Sequence, residues 1–313
     1  MNVIVCICTW NRAKLLRQTL ESLTAQQTAP DVEWSVLVIN NNCTDETDSV
    51  VREFQGRLPI RLLHETTPGK SNALNRGLAE ANCDWMLFTD DDVQVDMGWV
   101  LAYARALEQM DDRVAFVGGA VIPWFETHPS PELVAGIPTV GNGFCGVEVV
   151  KPRTITCRED GLPVGANAAV RMRAVRNERF DPRLGPKGKQ RIVSEEYQFF
   201  SGLLERGHHG AWLPGVDVKH FVPAERLQLR SLVRHIFDLG RMDVVLSGVP
   251  AGRRVFGVPM WVLRELLESI ALAPLCLLAW NWSGFYKNIS RMSSRAGIVW
   301  QCLSAPSAVP IKA

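Results

Sequence analysis

Strand and helix patterns alternate from the first residues of this chain. Short apolar runs at 3–8 (VIVCIC), 34–40 (WSVLVIN) and 84–89 (DWMLFT) are bounded by polar segments, and the first two are rich in Val and Ile. That is the composition of strands buried on both faces of a parallel sheet. Between them lie helical spacings: Leu15, Leu16, Leu20 and Leu23 after Asn11; Val50, Val51 and Phe54 after Thr44; Leu74, Leu78 and Ala81 after Ser71. The alternation predicts a doubly wound α/β fold, with ligands at the C-terminal ends of the strands. The segments expected there are polar: Thr9-Trp10-Asn11-Arg12, Asn40-Asn41-Asn42-Cys43-Thr44-Asp45 and Thr89-Asp90-Asp91-Asp92.

With 313 residues, 47% hydrophobic and 21% charged, the chain can bury a substantial core, and disorder is excluded. The net charge of +1 conceals an asymmetry. From Lys219 onward 12 Lys and Arg face 5 Asp and Glu, an excess that suits acidic partners such as phosphates or lipid head groups. The eight cysteines contain no C-x-x-C pair and no zinc spacing, which points to a reducing compartment. Cys6 and Cys8 are expected on one strand face. No basic n-region precedes Val3, Ile4 and Val5, so no signal peptide is expected.

Residues 123–163 are rich in Pro and Gly and without a clear period, and read as loops and short strands. From Pro223 the character changes. Leu229, Leu232, Val233, Ile236 and Phe237 share one helical face, and Arg226, Arg230 and Arg234 recur every four residues on another. The stretch Ser269–Tyr286 holds 18 residues without a charge, interrupted by Pro274, Asn281, Ser283 and Gly284, so spanning a bilayer is marginal. Trp261, Trp280, Trp282 and Trp300, together with the basic residues, favour a helix lying in a membrane surface; the alternative is that these helices pack on the sheet and on each other.

An acidic triplet directly after a strand places carboxylates where Mg²⁺ or Mn²⁺ bridges a diphosphate. Alone it is weak, since acidic runs are commonly solvated loops or helix caps. Its setting is specific. The ordered set V-I-V-C-I-C-T-W-N-R (3–12), V-I-N-N-N-C-T-D-E-T (38–47), G-K-S-N-A-L-N-R-G-L (69–78), F-T-D-D-D-V (88–93), G-A-N-A-A-V-R (165–171) and S-E-E-Y-Q-F-F-S-G-L-L-E-R-G (194–207) resembles the family-2 glycosyltransferases with a GT-A fold, over roughly residues 3–245.

The resemblance implies a Rossmann-like, mostly parallel sheet flanked by helices. It places a GT-A domain at 1–222, with a nucleotide-binding half about 1–122 and an acceptor half about 123–222, followed by a helical, basic extension at 223–313. It implies a nucleotide-sugar site bordered by Thr9, Asn11 and Arg12, with Asn41 and Asn42 near the base and ribose, Lys70 and Asn72 at the donor, and Gly165 and Asn167 near the sugar. Asn41 stands where many relatives carry an aspartate. Asp90 and Asp92 resemble the family's D-x-D, Asp92 as the direct metal ligand and Asp90 nearer the ribose, with Asp91 beside them and His220 in V-K-H-F-V-P-A-E-R-L close to the metal. For Lys70 the alternative is an ordinary helix-start surface lysine, and Trp212 is equally well a core residue.

The implied reaction is a single inverting displacement at the anomeric carbon, assisted by Mn²⁺ or Mg²⁺, onto a glycan or lipid-linked hydroxyl, with Glu196 or Glu195 as base. That acidic pair usually ends in aspartate, and the extra methylene of glutamate moves the carboxylate by about one bond length. The alternative for the pair is that Ser194 caps a helix whose dipole both glutamates complement. Two other readings stand beside it: an inactive nucleotide-sugar-binding homologue or membrane-associated scaffold, and a sugar nucleotidyltransferase, which Cys8–Arg12 disfavours by lacking the Gly-rich loop. Nucleic-acid signatures are missing. The expected location is cytoplasmic, peripheral on the inner face of the inner membrane.

Overall fold

The computed structural model describes residues 1–140, 144, 146–186 and 195–304. The chain divides into two compact units, one of Met1–Ile122 with Val147–Phe221, the other of Pro123–Gly146 with the residues from Val222 on.

The first unit opens β1 (Asn2–Thr9), α1 (Ala13–Thr24), β2 (Glu33–Asn40), α2 (Thr47–Phe54), β3 (Ile60–His64), α3 (Lys70–Glu80), β4 (Trp85–Asp90), β5 (Val93–Val95), α4 (Trp99–Glu108) and β6 (Val114–Gly118). The helices fall where the apolar spacing places them. β7 (Val121–Phe125) leads into the second unit through α5 (Pro131–Val140). The chain then returns through β8 (Arg153–Ile155), β9 (Ala168–Arg171), the single turn α6 (Met172–Val175), α7 (Glu195–Glu205), β10 (His209–Trp212) and β11 (Val218–Val222).

Eight strands form the central sheet in the order β3-β2-β1-β4-β9-β6-β10-β8. β1 through β4 are parallel neighbours, as are β6 and β10; β9 runs antiparallel between β4 and β6, and β8 antiparallel to β10. Two-residue alternation sends Val3, Val5 and Ile7 to one face and Ile4 and Cys6 to the other, each face carrying its own core. Cys6 and Cys8 share a face, and no disulfide forms among the described cysteines. The register sets Thr9 opposite Asn40 and Cys8 opposite Asp90. Three polar strand ends therefore reach one level.

α5 departs from the expectation of loops and short strands at 123–163. Pro131 takes its first position, where a missing N–H costs nothing, the Ser130 hydroxyl accepts from the Leu133 amide, and Leu133, Ile137 and Val140 fall at helical spacing. Leu133, Val140 and Phe144 share a cluster with Val222, Leu232 and Ile236, so this segment groups with the helical part of the chain rather than with the acceptor half expected of it. The second unit continues with α8 (Leu229–Ser247), a short hairpin of β12 (Arg254–Val255) and β13 (Val258–Pro259), then α9 (Met260–Leu278) and α10 (Trp282–Ser304). α9 runs through Pro274, which interrupts neither its course nor its apolar character. No described helix is long and apolar enough to cross a membrane.

Candidate functional site

The site assembles at the level where β1, β2 and β4 end. Asp90 closes β4, and the turn to β5 carries Asp91 and Asp92, both buried. Three groups answer this acidic concentration. The Arg12 guanidinium lies 3.0 Å from Asp91 Oδ1 and 2.8 Å from Asp92 Oδ2. Lys70 Nζ lies 2.9 Å from Asp90 Oδ1 and 2.9 Å from Glu196 Oε1. On β11, which pairs antiparallel with β5, His220 brings Nε2 to 3.3 Å from Asp92 Oδ1 and 4.0 Å from Asp90 Oδ2.

One ligand atom each from Asp90, Asp92 and His220 lies within 4.8 Å of the others. Asp92 Oδ1 is buried and accepts no hydrogen bond, and His220 Nδ1 is likewise unpartnered among the described residues. A buried carboxylate oxygen left in this state is costly unless something else meets it. Two carboxylates and an imidazole suit a divalent cation of the Mg²⁺ or Mn²⁺ kind.

Burial is the largest influence on Asp91, Glu195, Asp90 and Lys70. It pushes Asp91 up to about 7, the charge of Arg12 opposing and that of Asp92 adding. Burial, then the neighbouring charge of Glu196, pushes Glu195 up to about 8. For Asp90 burial is outweighed by Lys70 and His220, so its carboxyl stays below the ordinary range; Lys70, against its own burial, is held well above its usual value by Asp90, Glu196 and Glu195. The two glutamates thus differ in character. Glu195 is 3% exposed, whereas a fifth of the Glu196 side chain is open and its carboxylate lines a cavity with Cys8, Thr89, Asp90, Gly165 and Phe200.

Gly165 owes its identity to that carboxylate: a Cβ there would sit 2.1 Å from Glu196 Oε1. Lys70 is no ordinary surface lysine, since it bridges β4 to α7. Its position depends on Asn41, whose amide donates to the Glu65 and Thr67 carbonyls and accepts from the Gly69 amide. Asn41 therefore shapes the loop before α3, and its side chain is spent on backbone rather than offered to a base. Asn42 (φ 64°) ties the same loop through the Glu65 and Thr66 carbonyls. Asn11 (φ 53°) accepts from the Thr44 amide and joins the first two strand ends; asparagine tolerates this left-handed backbone better than most residues. Thr9 is buried beneath the triplet, and Asn72 donates to the Pro68 carbonyl.

Asn167, expected near the sugar, is placed differently. It is fully buried; its carbonyl accepts from Trp99 Nε1 and Tyr103 Oη, and its amide donates to the Ala120 and Val216 carbonyls. All its hydrogen-bonding capacity is used within the protein. Trp212 is a core residue, 5% exposed, with its indole N–H on the Asp160 carbonyl. The cap expected of Ser194 lies outside the described residues. Phe180 and Phe200, which floor the cavity beside Lys70, were not legible: both sit among apolar residues whose spacing carries no chemical signal.

A mixed, mostly parallel sheet with acidic and cationic side chains gathered at its strand ends is the GT-A class of α/β fold. The mannosyltransferase PcManGT from Pyrobaculum calidifontis, solved in complex with GDP-Man and Mn²⁺, shares it with a TM-score of 0.61 at 18% identity, over 95% of this chain and 87% of that one. Residues 4–151 match the model of glycosyl transferase family 2, so the first half of the chain carries a domain of that family. Chondroitin synthase from Escherichia coli is 33% identical over 116 residues, 36% of this chain and 16% of that protein. Succinoglycan biosynthesis protein ExoM from Rhizobium meliloti is 25% identical over 252 residues, 77% of this chain and 74% of the relative. Two further sequence relatives are spanned over only 29% and 19% of their length.

Proposed function

We propose that this chain transfers a sugar from a nucleoside-diphosphate sugar to a hydroxyl of a glycan or lipid-linked glycan, with inversion at the anomeric carbon. The observation that carries the reading is the convergence of Asp90, Asp92 and His220 around Asp92 Oδ1, which accepts no hydrogen bond, with the partly open carboxylate of Glu196 joined to Asp90 through Lys70. A divalent cation held by those three residues would stabilise negative charge on the leaving diphosphate.

The chain's own residues do the rest. Glu196 accepts the proton of the acceptor hydroxyl as the new C–O bond forms and the bond to the diphosphate breaks. Glu195, buried and shifted toward its protonated form, supports Lys70 and Glu196 and does not reach the acceptor. Lys70 and Arg12 supply positive charge near the phosphates. Asn11, Asn42 and the loop held by Asn41 border the nucleotide. The basic, tryptophan-bearing second unit suits an acceptor held at the cytoplasmic face of a membrane, consistent with polysaccharide biosynthesis.

The test is a thermal-shift screen of UDP- and GDP-sugars with and without Mn²⁺, followed by assay of released nucleoside diphosphate. One donor is expected to stabilise the protein only with metal and to be slowly hydrolysed. Stabilisation by no donor overturns the proposal; tight binding without release marks a binding protein instead.

A further inference from the structure

α9 and α10 form an antiparallel helical hairpin: Glu265 pairs with Arg295 at 2.8 Å, and Asn288 reaches Cys276 across the other end. α8 runs parallel to α10, for Gly240 abuts Ser294, Arg241 meets Gln301, and Tyr286 packs against the cluster containing Leu232 and Ile236. The tip of the hairpin and the N-terminal half of α8 therefore lie at one end of this helical layer.

That end has an unusual surface. Ile270, Leu272, Leu275, Leu277, Leu278 and Trp280 are all exposed, the last two at 78% and 79%, while Ser269 and Ala273 take the inward positions. No charge occurs from Ser269 to Tyr286. Contiguous apolar exposure of this extent marks an interaction surface. Behind it stand exposed Arg230, Arg234 and Lys287, paired with no carboxylate among the described residues. A second copy of the same surface would bring those cations against their own counterparts. An anionic lipid surface meets them with opposite charge.

Several backbone groups of the turn are bonded within it. The amides of Ala279, Trp280 and Asn281 donate back to the carbonyls of Leu275, Leu277 and Cys276, and Asn281 Oδ1 accepts from the Gly284 amide. Polar backbone satisfied within the segment is what hydrocarbon demands of a chain that enters it. At about 1.5 Å per residue, Ser269 to Leu278 extends roughly 14 Å, about half of a ~30 Å hydrocarbon core.

We propose that the α9–α10 tip inserts into one leaflet of an anionic bilayer, with Arg230, Arg234 and Lys287 at head-group level. The assignment is independent of the transfer reaction and is measured without donor. The full chain is sedimented with phosphatidylcholine vesicles lacking or containing phosphatidylglycerol, and its tryptophan fluorescence is quenched with brominated lipids. Wild type should pellet with the anionic vesicles and be quenched at shallow depth. The double variant Leu275→Glu, Leu278→Glu should partition roughly tenfold or more weakly, and Arg230→Gln or Arg234→Gln about fivefold more weakly each, on anionic vesicles only. All four positions are exposed, and unchanged circular dichroism and thermal unfolding establish that the fold survives. Failure of wild type to bind, equal binding by the variants, or a solution dimer that Leu278→Glu dissociates would each overturn the proposal, the last by identifying a second copy as the occupant.

Discussion

Neighbouring carboxylates at the start of α7 differ in burial and in their approach to Lys70, and that difference favours Glu196 as the proposed base. Glu195 is enclosed and pushed up to about 8; Glu196 opens on the cavity and shares Lys70 with Asp90. A base must reach the acceptor, and of the pair Glu196 is the one that opens on the cavity, which is the ground on which it is proposed. Gly165 leaves room for that carboxylate, since a Cβ there would sit 2.1 Å from Glu196 Oε1. Glu196→Gln should lower kcat for transfer by about 10²–10⁴-fold, the usual worth of a general base, while donor affinity in the presence of Mn²⁺ changes little. Full turnover in that variant would return the role to Glu195.

Elements meet this site through buried side-chain bonds more than through the site residues themselves. Asn167 joins the turn before β9 to α4 through Trp99 and Tyr103, and to the ends of other segments through the Ala120 and Val216 carbonyls. Asn167→Ala would leave the Trp99 and Tyr103 donors and the Val216 carbonyl without the partner they have in Asn167, each at a cost of about 1–3 kcal/mol, while the Ala120 carbonyl keeps the Val218 amide. Loss of roughly 3 kcal/mol or more of unfolding free energy is therefore expected from denaturant titration. A loss below 1 kcal/mol would show that water replaces the amide. The strands and the three polar loops were legible in sequence because alternation and apolar runs are local signals. The bond of Lys70 to Glu196, 126 positions apart, has no local signature, and only the family pattern placed the two residues in one site. The bonds that Asn41 and Asn167 make within the protein were hidden for the same reason: an asparagine's sequence context does not reveal whether its amide faces a ligand or a buried carbonyl. α5 was missed because proline and glycine masked three apolar positions at helical spacing.

For the molecule as a whole, the buried acid at Glu195 links folding to pH in a direction opposite to most surface carboxylates. Its folded value, about 8, lies above the ordinary carboxyl value of 4.5. Below about pH 4.5 the group is protonated whether the chain is folded or not, and its favourable contribution is complete. As pH rises toward 8 the unfolded chain releases the proton while the folded chain retains it, so stability is lost across that window and is level above it. The full effect is on the order of a few kcal/mol. Glu195→Gln, which keeps the shape without the proton, should match wild type near pH 5 and exceed its melting temperature by several degrees near pH 8.5. Melting curves across pH 5–9 check this, and parallel curves for the two proteins would mean that Lys70 holds Glu195 ionised in the folded state. The stabilised variant should also retain vesicle binding, because Glu195 is no part of the hairpin, whose stretch from Ser269 to Ser304 contains neither Asp nor Glu.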